Sequence, residues 1–148
     1  MRTIGFLHRS GVAVECGRTV RDAAAIMEQA GIGSLAVLDD NRLVGIVTDR
    51  DFVRRVLACD LPADVRVDSV MSSPVVTIDV DADIEKAFEM FRTHGLRRLP
   101  VVDDERFVGM LTIDDLLVMV ASQLGDLVRP VTAEILFAHR DVPAPVSR

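Results

Sequence analysis

The segments Gly-Ile-Val-Thr-Asp-Arg-Asp (Gly45–Asp51) and Gly-Met-Leu-Thr-Ile-Asp-Asp (Gly109–Asp115) share one pattern: a glycine, two apolar residues, a threonine and, three positions later, an aspartate. A threonine hydroxyl can donate to a phosphate oxygen. An ionised aspartate only accepts, so it can hold the paired hydroxyls of a ribose. At a strand-to-helix junction, backbone N–H groups and the positive end of the helix dipole would add a phosphate site. Thr48 with Asp51, and Thr112 with Asp115, therefore have the makings of a nucleotide handle. The same spacing also builds a capping box, in which threonine and acid satisfy the orphan N–H groups of a helix start. Thr19 and Asp22 have that spacing too, and there capping is the whole expectation. For the duplicated phrase both roles stay open.

Other chemistry is hard to find. His8, His94 and His139 are scattered, and there is no HExxH, Cys/His cluster or nucleophile elbow. Gly31-Ile-Gly33-Ser lacks the third glycine of a dinucleotide fingerprint, and no GK[ST] follows a glycine loop. Asp39–Asp40 and Asp103–Asp104 read as turn formers, not metal ligands. Cys16 and Cys59 have no metal-ligand spacing and read as small apolar residues of a reducing compartment. With no base, nucleophile or metal set, the chain is expected not to be an enzyme.

The elements that position the two handles are themselves duplicated. A shift of 64 lays Val12–Val56 over Val76–Val120 without a gap, with about 13 of 45 positions identical. Each copy opens on a short apolar piece, Val12–Val14 or Val75–Ile78. A helix follows, capped by Thr19 or Asp83 and stopped by Gly31 or Gly95. Its apolar stripe is Val20, Ala23, Ala24 and Met27 in one copy, and Ile84, Ala87, Phe88 and Phe91 in the other. Two strands joined by Asp-Asp-Asn-Arg or Asp-Asp-Glu-Arg turns come next, and a second helix begins after Thr48 or Thr112. The order β-α-β-β-α predicts an α/β fold. One copy is too small to cover its own sheet, so two are expected to pack about a pseudo-twofold axis.

The expected organisation is repeat 1 over residues 4–60, a linker over 61–66, repeat 2 over 67–122 and a C-terminal helical extension with a tail over 123–148. In the extension the helix is expected to run to about Gly125 and to break at Pro130. Thr132–Arg140 would form a further helix capped by Thr132, and the tail after it is expected to be mobile. The segments Leu116–Leu124 and Glu134–Phe137 carry more apolar surface than a monomer of this size needs.

Composition narrows the partners. Of 148 residues 49% are apolar and 27% charged, enough to bury a core, and the net charge of -6 argues against nucleic-acid binding. No apolar run reaches the roughly 18 residues of a membrane span, and none near the N-terminus suits a secretory signal. A cytoplasmic protein with no nucleic-acid or membrane partner is expected.

Two β-α-β-β-α units, each ending in G-h-h-T-x-x-D, with Arg97-Arg98-Leu99-Pro100-Val101-Val102-Asp103 before the second, resemble a tandem pair of cystathionine-β-synthase (CBS) domains of the stand-alone type. The resemblance covers about Ile4 to Val120. It implies binding of an adenosyl compound (AMP, ADP, ATP, S-adenosylmethionine, sometimes a dinucleotide) between the repeats, as an effector and not a required cofactor. It makes Asp51 and Asp115 ribose binders, and Thr48 and Thr112 partners of ribose or phosphate. Thr77 would touch the nucleoside, with Ala13 in the equivalent place of repeat 1. Arg98, with Arg97 beside it, stands where the family often binds phosphate. Repeat 1 has Gly33 and Ser34 there, so its phosphate contacts would come from Arg50 or from Arg97 and Arg98 across the cleft. Val14, Val37, Ile78 and Val101 are expected as aliphatic walls for adenine.

The expected function is thus a regulatory module that signals energy or cofactor state, as a homodimer, to a protein target. The alternative is an interaction or scaffold module in which Thr-x-x-Asp only caps helices and no nucleotide binds.

Overall fold

The computed structural model describes residues 4–6 and 10–137. They belong to two compact units, residues 1–113 and 114–148. The first holds both repeats up to the end of their last strand, in a single six-stranded sheet of order β1-β2-β3-β6-β5-β4.

In repeat 1, β1 (Ala13–Glu15) leads to α1 (Val20–Ala30), then to β2 (Ser34–Asp39) and β3 (Arg42–Thr48). In repeat 2, β4 (Ile78–Asp79), α3 (Ile84–His94), β5 (Arg98–Asp103) and β6 (Arg106–Thr112) follow the same order. β1 is parallel to β2 and β4 to β5, as a helical crossover requires, while each hairpin is antiparallel. The hairpin turns have positive φ at both central residues, Asp40 and Asn41 in one and Asp104 and Glu105 in the other. That backbone matches the right-handed twist of the strands it joins.

The helix limits follow from the caps. Thr19 Oγ1 accepts from Asp22 N, Asp83 accepts from Lys86 N, and Gly31 and Gly95 close their helices at φ 64° and 61°. The inward face is narrower than the sequence implies: Val20, Ala23 and Met27 of α1, and Ile84, Ala87 and Phe91 of α3, are buried. Ala24 and Phe88, which hold equivalent positions, are exposed. In α1 the packed face turns instead toward Ile26, which lies against the same core.

One expected strand needs correction, and the linker and the second helix gain detail. The strand expected over Val75–Ile78 forms only at Ile78–Asp79, and Val75–Thr77 stand clear of the ladder. The linker is pinned to α1: Val20 N donates to Val65 O at 2.9 Å, Arg21 N to Ala63 O at 2.9 Å, and Thr19 bridges Arg66. The helix after Thr48 begins as α2 (Asp49–Asp51) and continues as a π-helical stretch, Phe52–Leu57.

The second unit contains α4, which begins at Ile113 at the junction and runs to Phe137 through Gly125 and Pro130. The expected break at Pro130, and a new helix capped by Thr132, do not occur. Proline deletes one N–H and crowds the carbonyl four residues back, at about 3 kcal/mol. Here that turn is also spanned by Arg129 and Asp126, paired at 3.1 Å, and flanked by helix formers. The expected mobile tail lies outside the described residues.

Candidate functional site

Register gives the two hairpins the same pairing, position for position. Ser34 faces Thr48 in the first hairpin, and Arg98 faces Thr112 in the second. Both ladders slip by one residue at the same place, after Val37 and after Val101. The slips leave Val44 and Val108 as the extra residues of bulges, a device that re-aims side chains beside a site.

Two of the contacts between the repeats join positions that correspond under the shift of 64. At one, Arg42 pairs with Arg106, Leu43 N donates to Glu105 O at 3.2 Å, and Phe107 N donates to Asn41 O at 3.1 Å. Each bond is the other's counterpart under the shift of 64. The Arg42 guanidinium is ion-paired with Glu105 across this junction. At the other place, Arg98 Nη1 donates to Ser34 Oγ at 3.0 Å. Combined with the ladders, this places Thr48, Ser34, Arg98 and Thr112 in sequence across the pseudo-twofold axis. The repeat lacking its own arginine is thus reached by the arginine of the other.

Thr48 and Asp51 form a complete capping box. Thr48 Oγ1 accepts from Asp51 N at 3.1 Å, and Asp51 Oδ2 accepts from Thr48 N at 2.9 Å. Asp51 Oδ1 faces Arg55 Nε at 3.8 Å. Arg55 Nη1 in turn donates to Val70 O at 2.7 Å and Met71 O at 3.1 Å. Directly after, Ser72 exchanges two backbone bonds with Ile46, at 2.8 and 3.0 Å. A Cβ on Gly45 would stand 2.3 Å from Met71 Sδ and 3.1 Å from Ser72 O, so the glycine of the motif lets this segment lie against β3.

Ser73, Pro74, Val75 and Thr77 then line a cavity of about 480 Å³ together with Leu43, Val44 and Val102, and with the charged Asp39, Arg42 and Glu105 at its polar side. Its size suits a small ligand. Of the residues expected at the site, Thr77 is in this lining; Thr48, Asp51, Arg98, Thr112 and Asp115 are not. Val14, Val37, Ile78 and Val101 are no more than 3% exposed and cannot be walls. Strand alternation turns them into the core and gives their neighbours Val102 and Val44 to the cavity.

The remaining candidates are dispersed. Ala13 is half-buried in β1 opposite Ala36, and Arg50 and Arg97 are exposed. Arg97 O accepts from Ile113 N at 3.0 Å, the counterpart of Gly33 O accepting from Asp49 N at 3.0 Å. Asp115 lies in the first turn of α4. Sequence reasoning missed Arg55 and Arg42. The first stands one helical turn after Asp51; the second is repeated as Arg106 after each acidic turn, a signal that was available. Among the described residues no group of three His, Cys, Asp or Glu side chains could hold a metal ion, and no helix is long and apolar enough to cross a membrane.

The sequence profile of the CBS domain matches residues 6–58 and 67–122. The chain is 33% identical over 105 residues to the CBS domain-containing protein YhcV of Bacillus subtilis, covering 71% of this chain and 75% of that one. It is 34% identical over 100 residues to Hypoxic response protein 1 of Mycobacterium tuberculosis, covering 66% and 70%. Among solved structures, a putative signal-transduction protein with CBS domains from Burkholderia ambifaria superposes with a TM-score of 0.70 at 28% identity, covering 82% of this chain and 95% of that one.

Proposed function

Since the chain belongs to the CBS-domain family, as a tandem pair of a regulatory kind, we propose that it binds an adenine nucleotide or related adenosyl compound between its repeats and reports energy or cofactor state. The observation that carries this reading is the row Thr48, Ser34, Arg98 and Thr112, which joins the two repeats through the Arg98–Ser34 hydrogen bond; the cavity of about 480 Å³, with Thr77 in its lining, opens toward the turn end of the same strands. The uncharged lining of the cavity is five apolar residues with the hydroxyls of Ser73 and Thr77, and its own arginine is already engaged by Glu105. Phosphate contacts would then fall to Arg98, with Arg97 and Arg50 exposed nearby in sequence to the two helix starts. Asp51, and Asp115 by repeat correspondence, would accept from ribose hydroxyls; Thr48, Thr112, Ser34 and Ala13 complete the set. A ligand touching both repeats favours the arrangement in which both can reach it, a shift set by its differential affinity. Self-association into a homodimer and a protein target in the cytoplasm belong to the same proposal.

A second reading, a scaffold without a nucleotide, is favoured by one observation: Thr48 and Asp51 already satisfy one another as a cap. A dye-monitored thermal-shift panel of AMP, ADP, ATP, S-adenosylmethionine, NAD and cyclic di-AMP separates the two. Ligand at about 100 times its dissociation constant adds roughly 2.7 kcal/mol, a shift of about 5–10 °C at this size. A selective shift supports the sensor. A flat panel on nucleotide-free protein supports the scaffold.

A further inference from the structure

The cavity beside Thr77 has a counterpart position under the shift of 64. Leu43 and Val44 on one wall correspond to Phe107 and Val108, and residues 74–77 on the other wall correspond to 10–13. The two places are built differently. Leu43 and Val75 both line open space of about 480 Å³. At the counterpart, a Cβ added to Gly11 would stand 2.2 Å from Phe107 Cζ and 2.6 Å from Cε1, so the tip of the ring lies against the Gly11 backbone. The phenylalanine thus crosses from the wall that carries it to the wall opposite. The same Cβ would stand 3.3 Å from Gly109 Cα, so the segment lies down on β6 itself. Only a residue without a side chain can come so close, and repeat 2 has Val75 at this position. The strand limits agree. β1 takes in Ala13, which pairs with Ala36, whereas its counterpart Thr77 lies ahead of β4 and lines the cavity. The charged edge is not duplicated either, since Asn41 stands at the position equivalent to Glu105.

We propose that Phe107, seated on Gly11, closes the second of two equivalent cavities, so that the chain offers one cavity of this kind for its pair of repeats. A ligand that packs between Leu43 and Val75 in the open cavity would meet the aromatic ring in the space it needs at the counterpart. The ring and the glycine act as a pair: the ring reaches across, and the missing side chain lets it arrive. A duplicated fold thereby becomes a receptor with a single binding place. The inference rests on the proposed function for the occupant, a compound with an adenosine moiety, and not for the closure.

The closure is tested without a ligand. Val44 and Val108 are the extra residues of the two bulges. Val44→Cys and Val108→Cys are compared in a full chain with Cys16 and Cys59 replaced by Ser, using N-phenylmaleimide, an uncharged probe with one aromatic ring. Thiol reactivity follows access, so Val44→Cys is expected to react about tenfold faster or more. Phe107→Leu, which installs the residue of repeat 1, removes most of that difference by speeding Val108→Cys. Gly11→Val, which drives the segment off the ring, does the same and serves if Phe107→Leu fails to fold. Equal rates before the opening substitutions, or a Val108→Cys thiol that stays slow after them, overturn the closure. Calorimetric titration with AMP reads the occupant: one AMP per parent chain is expected, and Leu43→Phe with Val75→Gly, which copies the closed pair into the open cavity, abolishes binding. Two AMP per chain, or binding that survives the copied pair, overturns the single-site reading. AMP that gives no heat while the thiols behave as expected counts against the sensor and leaves the closure standing.

Discussion

Arg98 Nη1 donates to Ser34 Oγ at 3.0 Å, and these two residues occupy the same position of their respective repeats. A symmetric fold has here been given an asymmetric junction: one repeat contributes a cation and the other a small hydroxyl that receives it. Each residue is in turn the ladder partner of the threonine that starts the next helix. The two helix starts are thereby linked through one exposed guanidinium with donors to spare.

If Arg98 serves phosphate, Arg98→Ala should weaken AMP by about 10- to 100-fold, the loss of one charge-assisted hydrogen bond of roughly 1.5–3 kcal/mol. Adenosine, which lacks the phosphate, should lose almost nothing. Calorimetric titration of both ligands checks this. Equal losses would mean that Arg98 shapes the junction and does not touch phosphate.

Thr48 and Asp51 combine a structural role with the proposed binding role, and two substitutions separate them. Thr48→Val removes the cap acceptor and should cost about 1 kcal/mol, or a fall of roughly 2–4 °C in Tm. Asp51→Ala should show a similar fall and, in addition, abolish the ligand-induced shift. Retention of the full shift in Asp51→Ala would assign the pair to capping alone.

Arg55 joins Asp51 to the carbonyls of Val70 and Met71, just ahead of the segment that lines the cavity. Arg55→Met keeps the aliphatic stem and removes the donors. Faster amide hydrogen exchange is expected at Ile46 and Ser72, whose paired bonds lie next along the chain. Exchange unchanged at both amides would show that the segment is held by the backbone ladder without Arg55.

Arg66 forks onto Asp68, with Nε to Oδ1 at 3.2 Å and Nη2 to Oδ2 at 2.7 Å, and this holds the Asp68 carboxyl below its ordinary value of 3.8. A carboxylate with a depressed folded pKa stabilises the fold above that ordinary value, and the contribution is lost as pH falls through the folded value. The pair is partly exposed, so the contribution should stay below about 1 kcal/mol. Asp68→Asn should therefore melt slightly lower than the parent at pH 7 and converge with it below pH 3.8. A gap that persists in acid would point to packing and not charge.

The sequence by itself determined the repeat, the order of elements in each copy and the limits of α1 and α3. These depend on local chemistry: Thr19 and Asp83 as caps, Gly31 and Gly95 in the left-handed region, and Asp-Asn or Asp-Glu in turns with two positive φ angles. It also marked Thr48–Asp51 correctly as a helix start, because a capping box is complete within four consecutive residues.

Only the tertiary structure decided which face of each strand is open. Val37 and Val101 look no different in sequence from Val44 and Val102, yet alternation and the bulges bury the first two and turn the second two to the cavity. It also decided that Arg98 meets Ser34, and Arg42 meets Glu105, over separations of 64 and 63 residues. No local pattern encodes such pairs, since they exist only once two copies are folded and placed against each other. The continuation of α4 through Pro130 has the same lesson at shorter range. A residue propensity of about 3 kcal/mol is a weak prior beside the sum of its neighbours.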